Sequence, residues 1–237
     1  MRVIHWLITD FDRTLTQLFS DKTLRALREK LKPVYLKHGV SQEYLEQIRD
    51  PYKMWEQAYR YLQKHYPIQE TKGIHNMASA VLTQYELQVA SQAKLFPGVA
   101  ATLEWIGKLG LGCAIVSTNS DSAIKLVLEK NGVIDFVTCV FGRDSGIEME
   151  YLKPHPALVE RAMITLNARR ECTILVGDSP ADMMAGKAAG VFVIGVLSGQ
   201  TKADDLLQSG AQMIMKDFSS LRNLRHILRL NGIPSNV

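Results

Sequence analysis

No apolar run in the chain approaches the roughly 20 residues that a membrane-spanning helix needs, so no membrane partner is expected. The N-terminus lacks a basic stretch followed by a long apolar core and a small-residue cleavage site, which argues against export. Cysteine is scarce: Cys113, Cys139 and Cys172 are far apart, odd in number and without metal-ligand spacing. That pattern argues against a disulfide framework or a thiolate metal site and predicts reduced, buried thiols in a cytoplasmic protein. The histidines (His5, His38, His65, His75, His155 and His226) are scattered, so no Cys/His cluster competes for a metal. There is no internal repeat, no low-complexity tract and no dense basic stripe of the kind that binds nucleic acid. The net charge is only +4, and all of the surplus lies in residues 17–94, which carry 12 Lys/Arg against 8 Asp/Glu. Scattered solvated helix faces account for such a surplus, although it would also favour anionic substrates.

What is present is the composition of an ordinary globular protein, 46% hydrophobic and 22% charged over 237 residues. That length suits one large domain, or a core with a smaller companion. The apolar run Val3-Ile4-His5-Trp6-Leu7-Ile8-Thr9 stops at Asp10-Phe11-Asp12-Arg13-Thr14. It reads as a buried strand with a polar tip. Residues i and i+2 of an extended backbone point the same way, so Asp10 and Asp12 are expected to share one small volume. Like charges held together call for a cation or a shared proton.

Residues 18–93 read as helical and poor in strand. Leu24, Leu27 and Leu31 share a helix face, and Pro33 is expected to interrupt or kink the helix beyond it. Gly39 ends that helix, Ser41 caps the next, and Asp50-Pro51 opens a third. A fourth helix covers about 70–91. Tyr35, Tyr44, Trp55, Tyr59 and Tyr85 read mostly as packing at helical spacing. From Phe96-Pro97-Gly98 onward, helices alternate with apolar strands at 112–116, 137–141, 173–177, 191–196 and 212–214. Phe218, Leu221, Leu224 and Leu228 suggest a closing helix. Such alternation implies an α/β fold with a parallel sheet covered on both faces, whose ligands bind at the strand carboxyl ends.

Three further polar clusters fall on that edge. Ser117-Thr118-Asn119-Ser120 follows a strand and leads into a helix, which suits either a phosphate or a plain helix cap. Lys153-Pro154-His155-Pro156 fixes an ammonium in a loop before another helix. In Gly177-Asp178-Ser179-Pro180-Ala181-Asp182, Ser179 and Asp182 can form a capping box with Pro180 at the first helical position. Asp178 then has no capping duty, and a metal ligand is the economical assignment. Carboxylates, an ammonium and hydroxyls at one edge would make a hard-cation site beside an oxyanion site, which suits Mg²⁺.

The ordered set over residues 3–200 resembles the haloacid dehalogenase superfamily, in the phosphoglycolate phosphatase-like branch with an inserted helical cap. Asp10-Phe11-Asp12-Arg13-Thr14 is similar to motif one and Ser117 to motif two, with Thr118 as the alternative. Lys153-Pro154 resembles motif three, and Gly177-Asp178-Ser179-x-x-Asp182 motif four. The resemblance implies a Rossmann-like three-layer core from residues 1–16 and 95–237, with a helical cap at 17–94. It also implies phosphoryl transfer from a small phosphorylated metabolite through an aspartyl-phosphate. Asp10 would be the nucleophile and Asp12 the acid and base. The metal would be Mg²⁺, on Asp10, the Asp12 carbonyl and Asp178, supported by Asp182. Thr14, Ser117, Thr118 or Asn119, and Lys153 would hold phosphoryl oxygens or orient the acids.

Asp12 discriminates among chemistries. Dehalogenases and phosphonate-cleaving relatives lack an acid there, and P-type ATPases carry Thr, so Asp12 points to a phosphatase or phosphomutase. Arg13-Thr14-Leu15 lacks the continuation typical of β-phosphoglucomutases, and Arg13 replaces the Gly most common in phosphoglycolate phosphatases. A non-catalytic phospholigand-binding regulator is the alternative of a different class. The sequence carries no signal for an oligomeric state.

Overall fold

Six apolar segments stack side by side because most of them are too apolar to leave a face in water. The computed structural model describes residues 2–144, 146, 148–226 and 228–230. Two compact units emerge, one formed by Met1–Gln17 with Ala93–Val237, the other by Leu18–Gln92.

In the first unit the opening apolar run is two strands rather than one. β1 (Arg2–Ile4) breaks from β2 (Trp6–Thr9) at His5, whose N–H donates to the Cys172 carbonyl at 2.9 Å and whose carbonyl accepts from Gly112 at 3.1 Å. β2 stays in the main sheet, fully buried, whereas β1 peels away to a different partner.

The second unit is helical, as its sequence predicts: α1 (Asp21–Lys37), α2 (Gln42–Glu46), α3 (Pro51–His65) and α4 (Ile68–Ala90). Ser20, Ser41 and Asp50 are the N-caps of the first three. Of the two effects expected of Pro33, interruption does not occur: α1 continues through it to Lys37. The helix runs through it because Leu27, Leu31 and Tyr35 on either side are anchored in the core of the unit. The Arg28 guanidinium takes up carbonyls at the end of α2, donating to Leu45 at 3.2 Å and Ile48 at 2.8 Å. Tyr35, Trp55, Tyr59 and Tyr85 are buried packing residues, and Tyr44 is half-buried.

Back in the first unit, the chain continues through α5 (Val99–Lys108), β3 (Gly112–Val116), α6 (Asp121–Lys130), β4 (Cys139–Phe141), α7 (Ala157–Thr165) and β5 (Thr173–Gly177). α8 (Pro180–Ala189), β6 (Phe192–Val196), α9 (Ala203–Ser209), β7 (Met213–Met215) and β8 (Leu228–Leu230) complete it. The expected strand at 137–141 is shortened because residues 134–136 form a 3-10 turn whose last bond holds the Val137 N–H. The expected closing helix is a 3-10 helix, Phe218–His226, followed by β8 in parallel pairing with β1. Phe218, Leu221 and Leu224 recur every third residue, which is the 3-10 period, and Leu228 falls beyond the helix in extended chain.

The sheet order is β4-β3-β2-β5-β6-β7, all parallel, with α5–α9 packed against it, an α/β Rossmann-like architecture. β2 sits between β3 and β5, with Thr9 level with Ile115 on one side and Val176 on the other. The residues that follow Thr9, Val116 and Gly177 therefore leave the sheet together at one edge.

Candidate active site

That edge gathers the acids. Asp10, Asp178 and Asp182 are buried, and each offers a carboxylate oxygen within 4.8 Å of the others. Asp10 extends β2 by one bond, its N–H donating to the Val176 carbonyl at 2.8 Å. Lys153 reaches them from the loop before α7, across a cis bond to Pro154. Its Nζ donates to Asp10 Oδ1 at 2.6 Å, Asp182 Oδ1 at 2.5 Å and the Val116 carbonyl at 3.1 Å. Thr14 Oγ1 donates to Asp10 Oδ2 at 3.1 Å and lies 3.5 Å from Asp178 Oδ1.

Asp182 has two duties. Its Oδ2 accepts from the Ser179 N–H and hydroxyl in the capping box of α8, while Oδ1 holds Lys153. Both oxygens are engaged, so it orients the ammonium and the helix end. Asp178 has no part in the cap; the backbone of Gly199 presses on it so closely that a Cβ there would overlap Asp178 Oδ2.

The carboxylate of Asp12 stands outside the three-acid cluster, half-buried in a turn. Strand geometry ends at Thr9, so the alternation argument does not carry to residue 12. Instead Leu15 N–H closes onto the Phe11 carbonyl at 2.9 Å and Arg13 N–H onto Thr16 at 2.6 Å. Arg13 is left-handed, with φ 62°, a conformation that costs a side-chain-bearing residue about 1 kcal/mol or more. Ser198 Oγ donates to its carbonyl at 2.6 Å, and its guanidinium lies 3.5 Å from Gln200 Oε1. Arg13→Gly is therefore expected to raise stability to urea by about 1 kcal/mol. A fall in the unfolding midpoint would mean that the guanidinium contacts outweigh the backbone strain.

Burial raises the Asp10 carboxyl to about 7 and the Asp178 carboxyl to about 8. For Asp10, Lys153 opposes that rise and Asp182 adds to it; for Asp178, repulsion from Asp10 and Asp182 adds to burial. Burial alone would depress the Lys153 ammonium, but attraction to Asp10 and Asp182 outweighs it and lifts the group above its ordinary value. Three buried carboxylates around one ammonium form an all-oxygen set short of positive charge, which fits a hard divalent cation.

The sign of the resulting pH dependence is fixed. The folded pKa values of Asp10 and Asp178 lie above the ordinary 3.8, so the folded protein binds more protons than the unfolded chain between about pH 4 and 8. Their contribution to stability is complete below that window and is lost as pH rises through 7 and 8. Chelator-treated protein should melt at a lower temperature at pH 8 than at pH 5.5, and millimolar Mg²⁺ should reverse most of the loss. A midpoint that ignores both pH and Mg²⁺ would remove the case for a cation at these acids.

Ser117 follows β3 directly, is buried, and exchanges hydrogen bonds with Asn119: its hydroxyl donates to Asn119 Oδ1 at 3.1 Å and accepts from the Asn119 N–H at 3.3 Å. Thr118 is half-buried between them. The helix that follows is capped by Ser120, and the Asp121 N–H donates to Asp144 Oδ1 at 2.6 Å. The amide at the start of α6 thus serves a protein acid rather than standing open. Sequence reasoning missed Arg143, a buried cation whose Nη1 donates to the Thr118 carbonyl at 2.9 Å. Its only signal was a charged residue placed just after a strand at the reactive edge.

Residues 7–196 match the profile of the haloacid dehalogenase-like hydrolase family, and the chain belongs to that family. Among curated proteins it is 30% identical to a phosphoglycolate phosphatase of Photorhabdus laumondii, over 64% of this chain and 61% of that protein. It is 31% identical to the "Probable phosphatase IndB" of Dickeya dadantii, over 66% of this chain and 70% of that protein. The chain thus spans about six-tenths of the length of the Photorhabdus relative. A hydrolase of Pseudomonas syringae shares the fold with a TM-score of 0.68 at 21% identity, covering 94% of this chain and 99% of that one.

Proposed function

We propose that the protein is a Mg²⁺-dependent phosphomonoesterase that hydrolyses a small phosphorylated metabolite through an aspartyl-phosphate on Asp10. The observation that carries this reading is the Lys153 ammonium bridging Asp10 and Asp182, beside Asp178. The ammonium orients Asp10 for attack on phosphorus. One Asp10 oxygen bonds to phosphorus as the ester P–O bond breaks, and the Asp12 carboxyl gives its proton to the departing alkoxide. The Asp12 carboxylate then takes a proton from water, which attacks phosphorus and breaks the bond to Asp10. Inorganic phosphate leaves, and both acids return to their starting states.

Asp10 and Asp178 through carboxylate oxygens, and Asp12 through its carbonyl, are the residues to hold Mg²⁺, with Asp182 in support. Mg²⁺ there would lessen repulsion between the nucleophile and the phosphate dianion. Thr14, Ser117, Thr118, Asn119 and Lys153 would hold phosphoryl oxygens or orient the acids. Residues 18–92 would serve as the cap that selects the substrate and excludes water. Free thiols support a reducing, cytoplasmic setting, and burial holds Cys113 at about 12 and Cys139 at about 11, far from reactivity.

Mg²⁺-dependent release of phosphate from p-nitrophenyl phosphate and from a panel of phosphorylated metabolites tests the reading. Folded, Mg²⁺-supplied protein that turns over none of them would be a phospholigand-binding regulator instead.

A further inference from the structure

The short segment after β4 is more tightly built than a surface loop requires. Arginine is seldom buried unless its donors are used, yet Arg143 is 6% exposed. Its Nη1 donates to the Thr118 carbonyl at 2.9 Å and its backbone N–H to the Asn119 carbonyl at 2.8 Å. One residue earlier, the Gly142 N–H donates to Asp121 Oδ1 at 2.5 Å. On either side, the Phe141 carbonyl accepts from Ser117 N–H at 2.9 Å and Asp144 Oδ1 accepts from Asp121 N–H at 2.6 Å. Residues 141–144 therefore grip the main chain of Ser117, Thr118, Asn119 and Asp121. The fit admits no side chain at Gly142, where a Cβ would collide with the Asn119 carbonyl oxygen and lie 2.7 Å from the Asp121 nitrogen.

We infer that Gly142, Arg143 and Asp144 form a clasp that fixes the 117–121 loop in the conformation that receives the phosphoryl group. Arg143 and Asp144 act as positioning residues for phosphate through Thr118, Asn119 and Asp121. The inference rests on the phosphomonoesterase reading of the site and adds to it the element that makes its anion seat rigid. Donors that must meet phosphoryl oxygens at hydrogen-bond distance gain from being fixed in advance, because ordering a loop on binding costs conformational entropy for each residue fixed. The clasp supplies that order from a segment outside the four motifs.

Inorganic phosphate and orthovanadate, followed by thermal shift and as inhibitors in the presence of saturating Mg²⁺, provide the test. Arg143→Ala is expected to weaken both anions on the order of tenfold, the loss of one or two hydrogen bonds in a buried setting. The thermal shift caused by Mg²⁺ alone should keep its size, because Asp10 and Asp178 hang on other strands. Asp144→Ala, at an exposed position, guards against an Arg143 variant that fails to fold. It removes a negative charge, so electrostatics alone would tighten anion binding, whereas loss of the clasp weakens it. Unchanged or tighter phosphate binding in the Asp144 variant would overturn the inference, as would equal losses of phosphate and Mg²⁺ response in the Arg143 variant. Phosphate binding is read without turnover, so a wild-type protein that binds phosphate but hydrolyses nothing would sink the enzymatic reading alone.

Discussion

Asp10→Asn is expected to slow phosphate release from p-nitrophenyl phosphate by at least about a thousandfold while leaving the protein folded. The substitution keeps shape and volume, and the amide oxygen can still accept from Lys153, so the local packing survives. What it removes is the carboxylate oxygen proposed to bond to phosphorus. It also relieves one of the buried repulsions around Asp178, so the metal-free variant should melt no lower than wild type at pH 8. Steady-state release of phosphate, with circular dichroism and a melting curve on the same preparation, checks both parts. A rate within tenfold of wild type would place the reaction elsewhere in the molecule.

Asp12→Asn separates the two half-reactions. A p-nitrophenolate departs without help from an acid, so formation of the aspartyl-phosphate should proceed at a rate close to wild type. Its hydrolysis needs a base on water and should slow by about 10²–10⁴-fold. Rapid mixing should therefore show a burst approaching one nitrophenolate per protein, followed by a slow steady state. An alkyl phosphate, whose alkoxide must be protonated, should show no burst because both steps suffer. Equal losses for the two substrates without a burst would remove Asp12 from its role as acid and base. Its half-buried position outside the acid cluster suits a group that must meet both a leaving group and water.

Much of this architecture was legible in the sequence, for reasons that can be named. β3 and β5 were readable to the residue because each is a continuous apolar run ending in a polar cluster, and both are buried throughout. The capping box at Ser179 and Asp182 and the Asp50-Pro51 helix start were equally plain, since local chemistry alone decides them. The break at His5 was hidden: β1 and β2 look alike along the chain and differ only in which distant strand each meets. Pro33 misled because tertiary packing overrides propensity when residues on either side of it are anchored. Arg143 passed unnoticed because an arginine in a loop reads as solvated; only the carbonyls folded around it show otherwise. The second role of Asp182 was half-visible, as a cap whose other oxygen awaited an ammonium from residue 153.

The placement of β2 between β3 and β5 bears on how the molecule is made. Its partners are Gly112–Val116 and Thr173–Gly177, so the first strand of the main sheet in chain order remains without either neighbour while more than a hundred residues follow. The four helices of residues 18–92, whose contacts are local, can pack in that interval. The carboxylates of Asp10, Asp178 and Asp182 come together only after β5 has docked, and any chain ending before it leaves Trp6–Thr9 as a bare apolar edge open to other chains.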